Sequence, residues 1–162
     1  MSGELELQVS FDWQEIERVN KSAGDFLREQ NLSEESVIRY TMVICELVEN
    51  AIKYGSCGAS GEFINVNASL NDITFTAQVT NPLDKSSLPY IHELDRTIQW
   101  IRGFQDPFEA YLERMKAISQ EPLEKNKSGL GIARIAHEGR ASIDFFIKDN
   151  SMINVSAVAI ID

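Results

Sequence analysis

The sequence predicts an α+β chain folded as a two-layer α/β sandwich, with a mixed, mostly antiparallel sheet and helices on one face. Three observations carry this. Runs with strand character occur at the start, middle and end of the 162 residues, and longer runs between them repeat apolar residues at helical spacing. Two pairs of strands are joined by short turns, which makes the partners antiparallel. A chain of this length is one domain by size and can bury a full core.

Each element follows from its residues. "ELELQVSF" (Glu4 to Phe11) places Leu5, Leu7, Val9 and Phe11 on one face of a strand. Trp13 to Gln30 is helical, with Ile16, Val19, Ala23, Phe26 and Leu27 as its stripe. Ser33 is an N-cap followed by acids, and starts a helix running to Tyr54 with Val37, Tyr40, Ile44, Leu47, Val48 and Ala51 facing inward. "FINVNASL" and "ITFTAQVT" form a hairpin about Asn71-Asp72, and "NPLDKSSLPY" is loop. Ile91 to Ser119 is helical but divided by Gly103 and Pro107. A polar loop, "EPLEKNKSGLG", leads into a short helix from Ile132 to about His137. A last hairpin joins "ASIDFFIK" to "MINVSAVAII" at Asp149-Asn150.

Composition narrows the function. A formal net charge of −10 without a basic run argues against nucleic acid, whose phosphates select Lys and Arg. It does not forbid ATP, because Mg²⁺ and helix N-termini neutralise phosphate locally. Met1 to Gln8 lacks the pattern of a signal peptide, and no run of 18 apolar residues is present, so neither export nor membrane insertion is expected. Cys45 and Cys57 form no CxxC pair and read as free thiols in a reducing cytoplasm. His92 and His137 have no clustered partners of the kind zinc needs.

Two stretches can carry chemistry. In "CELVENAIKYG" Glu46 and Asn50 lie one turn apart on a helix edge, with Lys53 and Tyr54 a turn further. A carboxylate beside an amide offers oxygens, the donors that Mg²⁺ accepts. A plain amphipathic helix with a solvated edge gives the same spacing. In "KSGLGIARIAHEG" Gly129 and Gly131 precede a helix start, where backbone N–H groups can approach a phosphate. A flexible loop entering a helix gives that pattern too.

Taken together and in this order, the two stretches resemble the GHKL superfamily of ATP-binding domains, which includes histidine-kinase catalytic domains and anti-sigma-factor serine kinases. The superfamily's N-box, roughly E-x-x-x-N-A-x-x-[HKY]-G, is matched at Glu46, Asn50, Ala51, Tyr54 and Gly55, and its glycine box resembles "SGLGIARIAHEG". The resemblance spans nearly the whole chain and implies a Bergerat-type ATP-binding fold over residues 1–162, with 82–127 as a lid-like helical insertion. It further implies that Asn50 holds Mg²⁺ and that Glu46 activates the attacking group or a Mg²⁺-bound water. Lys53 and Tyr54 would then face the nucleotide, with Ser128, Gly129 and Gly131 cradling phosphates.

One box departs from the superfamily. Where D-x-G-x-G should follow the strand "ITFTAQVT", this chain has "NPLDKSS", and Asn81 stands in the place of the adenine-reading Asp. Losing that charge-assisted contact costs about 1–3 kcal/mol. The resemblance therefore supports two readings. One is an ATP-dependent protein serine/threonine kinase of the anti-sigma-factor type, which transfers the γ-phosphoryl to a Ser/Thr of a regulatory partner, either an antagonist or a sigma-factor-like protein. The other is a non-catalytic, pseudokinase-like module with a weakened nucleotide site. A detached histidine-kinase domain is a third. The phosphoacceptor-like "HELDRT" (His92 to Thr97) falls inside the presumed lid and is a decoy. Nothing in either reading requires a membrane, and both allow a homodimer.

Overall fold

A computed structural model describes residues 2–54, 62–120, 130–149 and 151–161. Five strands, β1 (Ser2–Val9), β2 (Ile64–Asn71), β3 (Thr74–Pro82), β4 (Ser142–Lys148) and β5 (Met152–Ile160), make one sheet in the order β1-β2-β3-β5-β4. Every neighbouring pair is antiparallel, so the sheet is wholly antiparallel and not mixed. Five α-helices accompany it: α1 (Glu15–Glu29), α2 (Glu34–Tyr54), α3 (Leu88–Arg102), α4 (Pro107–Gln120) and α5 (Leu130–His137). The architecture is the α+β sandwich that the alternation and spacing of apolar residues imply.

The helices lie on one face of the sheet. Alternate residues of β3, namely Phe75, Ala77, Val79 and Asn81, are buried, while Gln78 between them is exposed. Val9, Ile64, Val66, Ala68, Leu70, Ile153, Val155 and Ala157 join Phe75 in one continuous core beneath α2, which contributes Tyr40, Ile44, Leu47, Val48 and Ala51. Tyr40 stacks on Phe75 with ring centroids 4.3 Å apart. The opposite face carries Glu4, Glu6, Asn65 and Gln78 to solvent.

Local signals fix the ends. Ser33 caps α2, its hydroxyl accepting from the Ser36 amide at 3.2 Å, with Glu34 and Glu35 in the first turn. Asn31 takes φ 62° after α1, a left-handed conformation that Asn tolerates. The β2–β3 turn is displaced by one residue from the sequence reading: Asn71 pairs with Thr74, leaving Asp72 (φ 44°) and Ile73 as the connection. β3 also runs further than expected. Asn81 and Pro82 pair with Ile153 and Met152, and the missing N–H of proline is tolerated at the strand's last position. α3 begins earlier than expected, at Leu88, because Pro89 starts helices well.

Candidate functional site

α2 has two working faces. One is the apolar stripe on the sheet. The other is a polar edge where Glu46, Glu49, Asn50 and Lys53 line a cleft of about 150 Å³, together with Gly131 and Ile132 from the start of α5 and Trp13 from the turn before α1. Four residues marked in the sequence, Glu46, Asn50, Lys53 and Gly131, therefore share one cleft. Ser128 and Gly129 lie outside the described residues. Asn81 is not in the cleft's lining. It is 1% exposed within β3, and its amide donates to the Pro82 carbonyl at 3.1 Å.

Glu46 is held on one oxygen and crowded at the other. Oε1 accepts from Arg134 Nη1 at 3.0 Å, and Oε2 lies so close to Gly131 that a Cβ there would sit 2.5 Å from it. Glycine at 131 thus has a steric reason: it lets the backbone of α5 pass beside the carboxylate. Arg134 also donates to Glu138 at 2.7 Å. Its guanidinium is held above its ordinary range first by Glu138, and to a lesser degree by Glu46, against the opposing effect of burial. Arg134 can therefore keep its charge partnered while Glu46 is released.

Asn50 is engaged by α3. Its amide donates to the Tyr90 hydroxyl at 3.2 Å, and the Tyr90 ring stacks on Tyr54 at 4.7 Å and 5°. Burial, and then the neighbouring Tyr54, push the Tyr90 phenol far above its usual range, so it stays protonated. The Tyr54 hydroxyl is buried without a hydrogen-bond partner among the described residues, and the Lys53 ammonium lies 5.2 Å from the Tyr54 ring centroid. Cys45, one residue before Glu46, is buried, with its thiol pushed up to about 11 by desolvation, and it offers no nucleophile.

The residues can be tested against the groups the motifs imply. Asn50 Oδ1 is left for a hard cation, because the contact with Tyr90 uses only the amide nitrogen, and carboxylates stand beside it. Asn50 Oδ1 and the carboxylates of Glu46 and Glu49 are the oxygen donors that would hold a Mg²⁺ there. A nucleotide does not fit the cleft as it stands, since pockets for ligands of that size occupy about 300–1,000 Å³. On the other side of Glu46 a larger groove, about 420 Å³, runs between α1 and α2 past Ile16, Gly24, Ile38 and Met42.

Sequence reasoning missed Tyr90, Arg134, Glu49 and Trp13. By composition Tyr90 falls at the end of a loop, "NPLDKSSLPY". "LPY" is a helix start with proline at an early position, and that signal puts Tyr90 on the first turn of α3. Arg134 and Glu49 carry no signal in one dimension, because their roles come from α5 lying against α2. Trp13 is 56% exposed, which no periodicity predicts.

Placed among known proteins, the α+β sandwich is shared with a crystal structure of the SiaB–SiaC complex from Pseudomonas aeruginosa, at a TM-score of 0.68 and 18% sequence identity, over 97% of this chain and 89% of that one. No family model and no curated protein matches the chain. The GHKL assignment is thereby overturned: the family models are silent, and the likeness found is of fold, to the SiaB–SiaC complex. A physical reason for the misreading is visible. The N-box spacing arises on a helix whose Glu46 and Asn50 have partners of their own, Arg134 and Tyr90, and Pro82 is a paired strand residue where a glycine loop was required.

Proposed function

We propose that this chain is a regulatory protein that binds a partner protein, and that the Glu46–Asn50 cleft serves phosphoryl transfer from Mg²⁺-ATP to a Ser/Thr hydroxyl of that partner. The likeness to a structure of two assembled proteins supports the partner. The observation that carries the chemistry is convergence: an acid, an amide, a lysine and a glycine at a helix start, drawn from two helices, line a single cleft. Bound Mg²⁺-ATP would supply the phosphoryl group. Glu46, once released by Arg134, would take the hydroxyl proton as the hydroxyl oxygen bonds to the γ-phosphorus and ADP leaves, while Asn50 Oδ1 would hold the cation and Lys53 with the first N–H groups of α5 would meet the phosphate charge.

A second reading is favoured by Tyr90 and Arg134 standing on the two key residues. In it the chain binds its partner without turnover. Thermal denaturation with and without Mg²⁺-ATP separates the two. Saturation at a hundred times Kd adds about 2.7 kcal/mol, and Glu46→Gln should then abolish transfer of labelled phosphate while leaving the melting temperature within a few degrees of the parent. No shift at millimolar nucleotide would retire the catalytic reading in favour of the second.

A further inference from the structure

We propose that Tyr90, seated on Asn50 and Tyr54 at the border of the cleft, is an internal plug, and that withdrawal of the first turn of α3 extends the cleft past Asn50 to make room for a nucleotide. The inference rests on reading the cleft as a nucleotide site and adds how that site is regulated. The plug has a definite seat. Its hydroxyl takes the Asn50 amide at 3.2 Å, and its ring covers Tyr54 nearly parallel at 4.7 Å. A planar ring with one polar atom thus occupies both an aromatic face and the hydrogen-bonding side chain beside the Mg²⁺ donor set.

The turn that carries Tyr90 is built to move as a piece. Upstream, the chain is tied to the sheet by the Leu83 amide donating to Ser151 O at 2.7 Å. A capping box between Asp84 and Ser87 then fixes the single 3₁₀ turn at Lys85–Ser87. Downstream, α3 is anchored by Leu94, Ile98 and Ile101, all beyond its first turn. Between these ties Leu88 is 57% exposed, and Tyr90 and Ile91 are only partly buried. Tyr90 holds the turn to α2 through its hydrogen bond to Asn50 and its stack on Tyr54. Moving it breaks one hydrogen bond, one ring stack and the partial packing of Tyr90 and Ile91 on the core, and leaves Leu94, Ile98 and Ile101 in place.

Apparent affinity for Mg²⁺-ATP is then the intrinsic affinity reduced by the open fraction. Calorimetric titration of the full chain with Mg²⁺-ATP tests this in four proteins: the parent, Tyr90→Phe, Tyr90→Ala and Leu88→Ala. Tyr90→Phe loses the hydrogen bond and should tighten Kd roughly twofold to tenfold. Tyr90→Ala loses the stack as well and should tighten it about tenfold to a hundredfold. Leu88→Ala, on the same turn but exposed, should match the parent. Should Tyr90→Ala fail to fold, as judged by melting without ligand, Tyr90→Phe still decides. Equal Kd in all four overturns the plug and leaves the nucleotide site standing, as does equal tightening by Leu88→Ala. Absence of binding in all four removes the nucleotide site and the plug together.

Discussion

α2 and the α3–α4 pair are both amphipathic, yet the fold holds them very differently. α2 buries Val37, Tyr40, Val43, Ile44, Leu47, Val48 and Ala51 along its length, and its tyrosine is stacked on the sheet. α3 buries three residues, and among the described residues of α4 only Ala110 is fully buried. Trp100, Phe108, Leu112 and Met115 keep 39–46% of their surface in solvent. Local stability follows buried apolar contact, so the helix that owns the candidate chemistry is fixed, and the α3–α4 pair beside it is held at fewer points.

The sharpest way to break the comparison is truncation on each side. Leu47→Ala removes a side chain 2% exposed beneath the sheet and should cost about 2–5 kcal/mol. Trp100→Ala removes a larger side chain, 39% exposed and packed edge-on against Phe104, and should cost about 1 kcal/mol or less. Urea denaturation of both variants measures the gap. Equal costs would mean that α3–α4 is as firmly built into the core as α2.

Two glycines at the ends of α5 sharpen the same contrast on a smaller scale. A Cβ at Gly139 would press on the Ile135 carbonyl and come within 2.6 Å of Val43 Cγ2, both rigid parts of the core. Gly139→Ala should therefore cost about 1–3 kcal/mol. At Gly131 the obstacle is the Glu46 carboxylate, the free end of a flexible side chain. Gly131→Ala should leave stability within about 1 kcal/mol of the parent, since alanine also favours the helix, while swinging Glu46 away from Arg134. Thermal melts of the pair give the stability difference, and loss of Mg²⁺-ATP binding in Gly131→Ala alone would mark the cleft as the place affected.

Most of the fold was legible because its signals are local. Alternation in β2 and β3, the 3.6-residue stripe of α2, the Ser33 cap and the break at Gly103–Pro107 each depend on neighbours in sequence, and the structure has them all. What misled lay at element ends. Pro82 reads as a strand stop, yet β5 pairs with it, and Pro89 reads as loop, yet it opens α3. The cleft was half legible. Helical spacing put Glu46, Asn50 and Lys53 on one edge of α2, but no spacing could say that Arg134, 88 residues later, would pair with Glu46, or that Tyr90 would reach Asn50. Those contacts belong to the packing of α3 and α5 on α2. They give Glu46 and Asn50 partners that spacing along α2 leaves out.

The smallest effect concerns Glu49, beside Glu46 on the fixed helix and without a hydrogen bond or ion pair among the described residues. Partial burial raises its carboxyl above the ordinary range, the charge of Glu46 raises it further, and Arg134 offsets part of this. A raised carboxyl binds its proton more tightly in the folded state than in the unfolded chain. Its contribution is therefore fully present below the unfolded value and is lost as pH climbs through the folded one. Glu49→Gln removes that penalty, so the variant should be more stable than the parent at neutral pH, with the difference vanishing on the acid side. Because Glu49 is half-exposed, solvent screening keeps the gain below about 1 kcal/mol. Urea midpoints measured for both proteins from pH 4 to 8 would show the two curves diverging upward with pH. Parallel curves would mean that Glu49 is as well solvated as any surface acid, and that the acidic edge of α2 extends into water and not into the cleft.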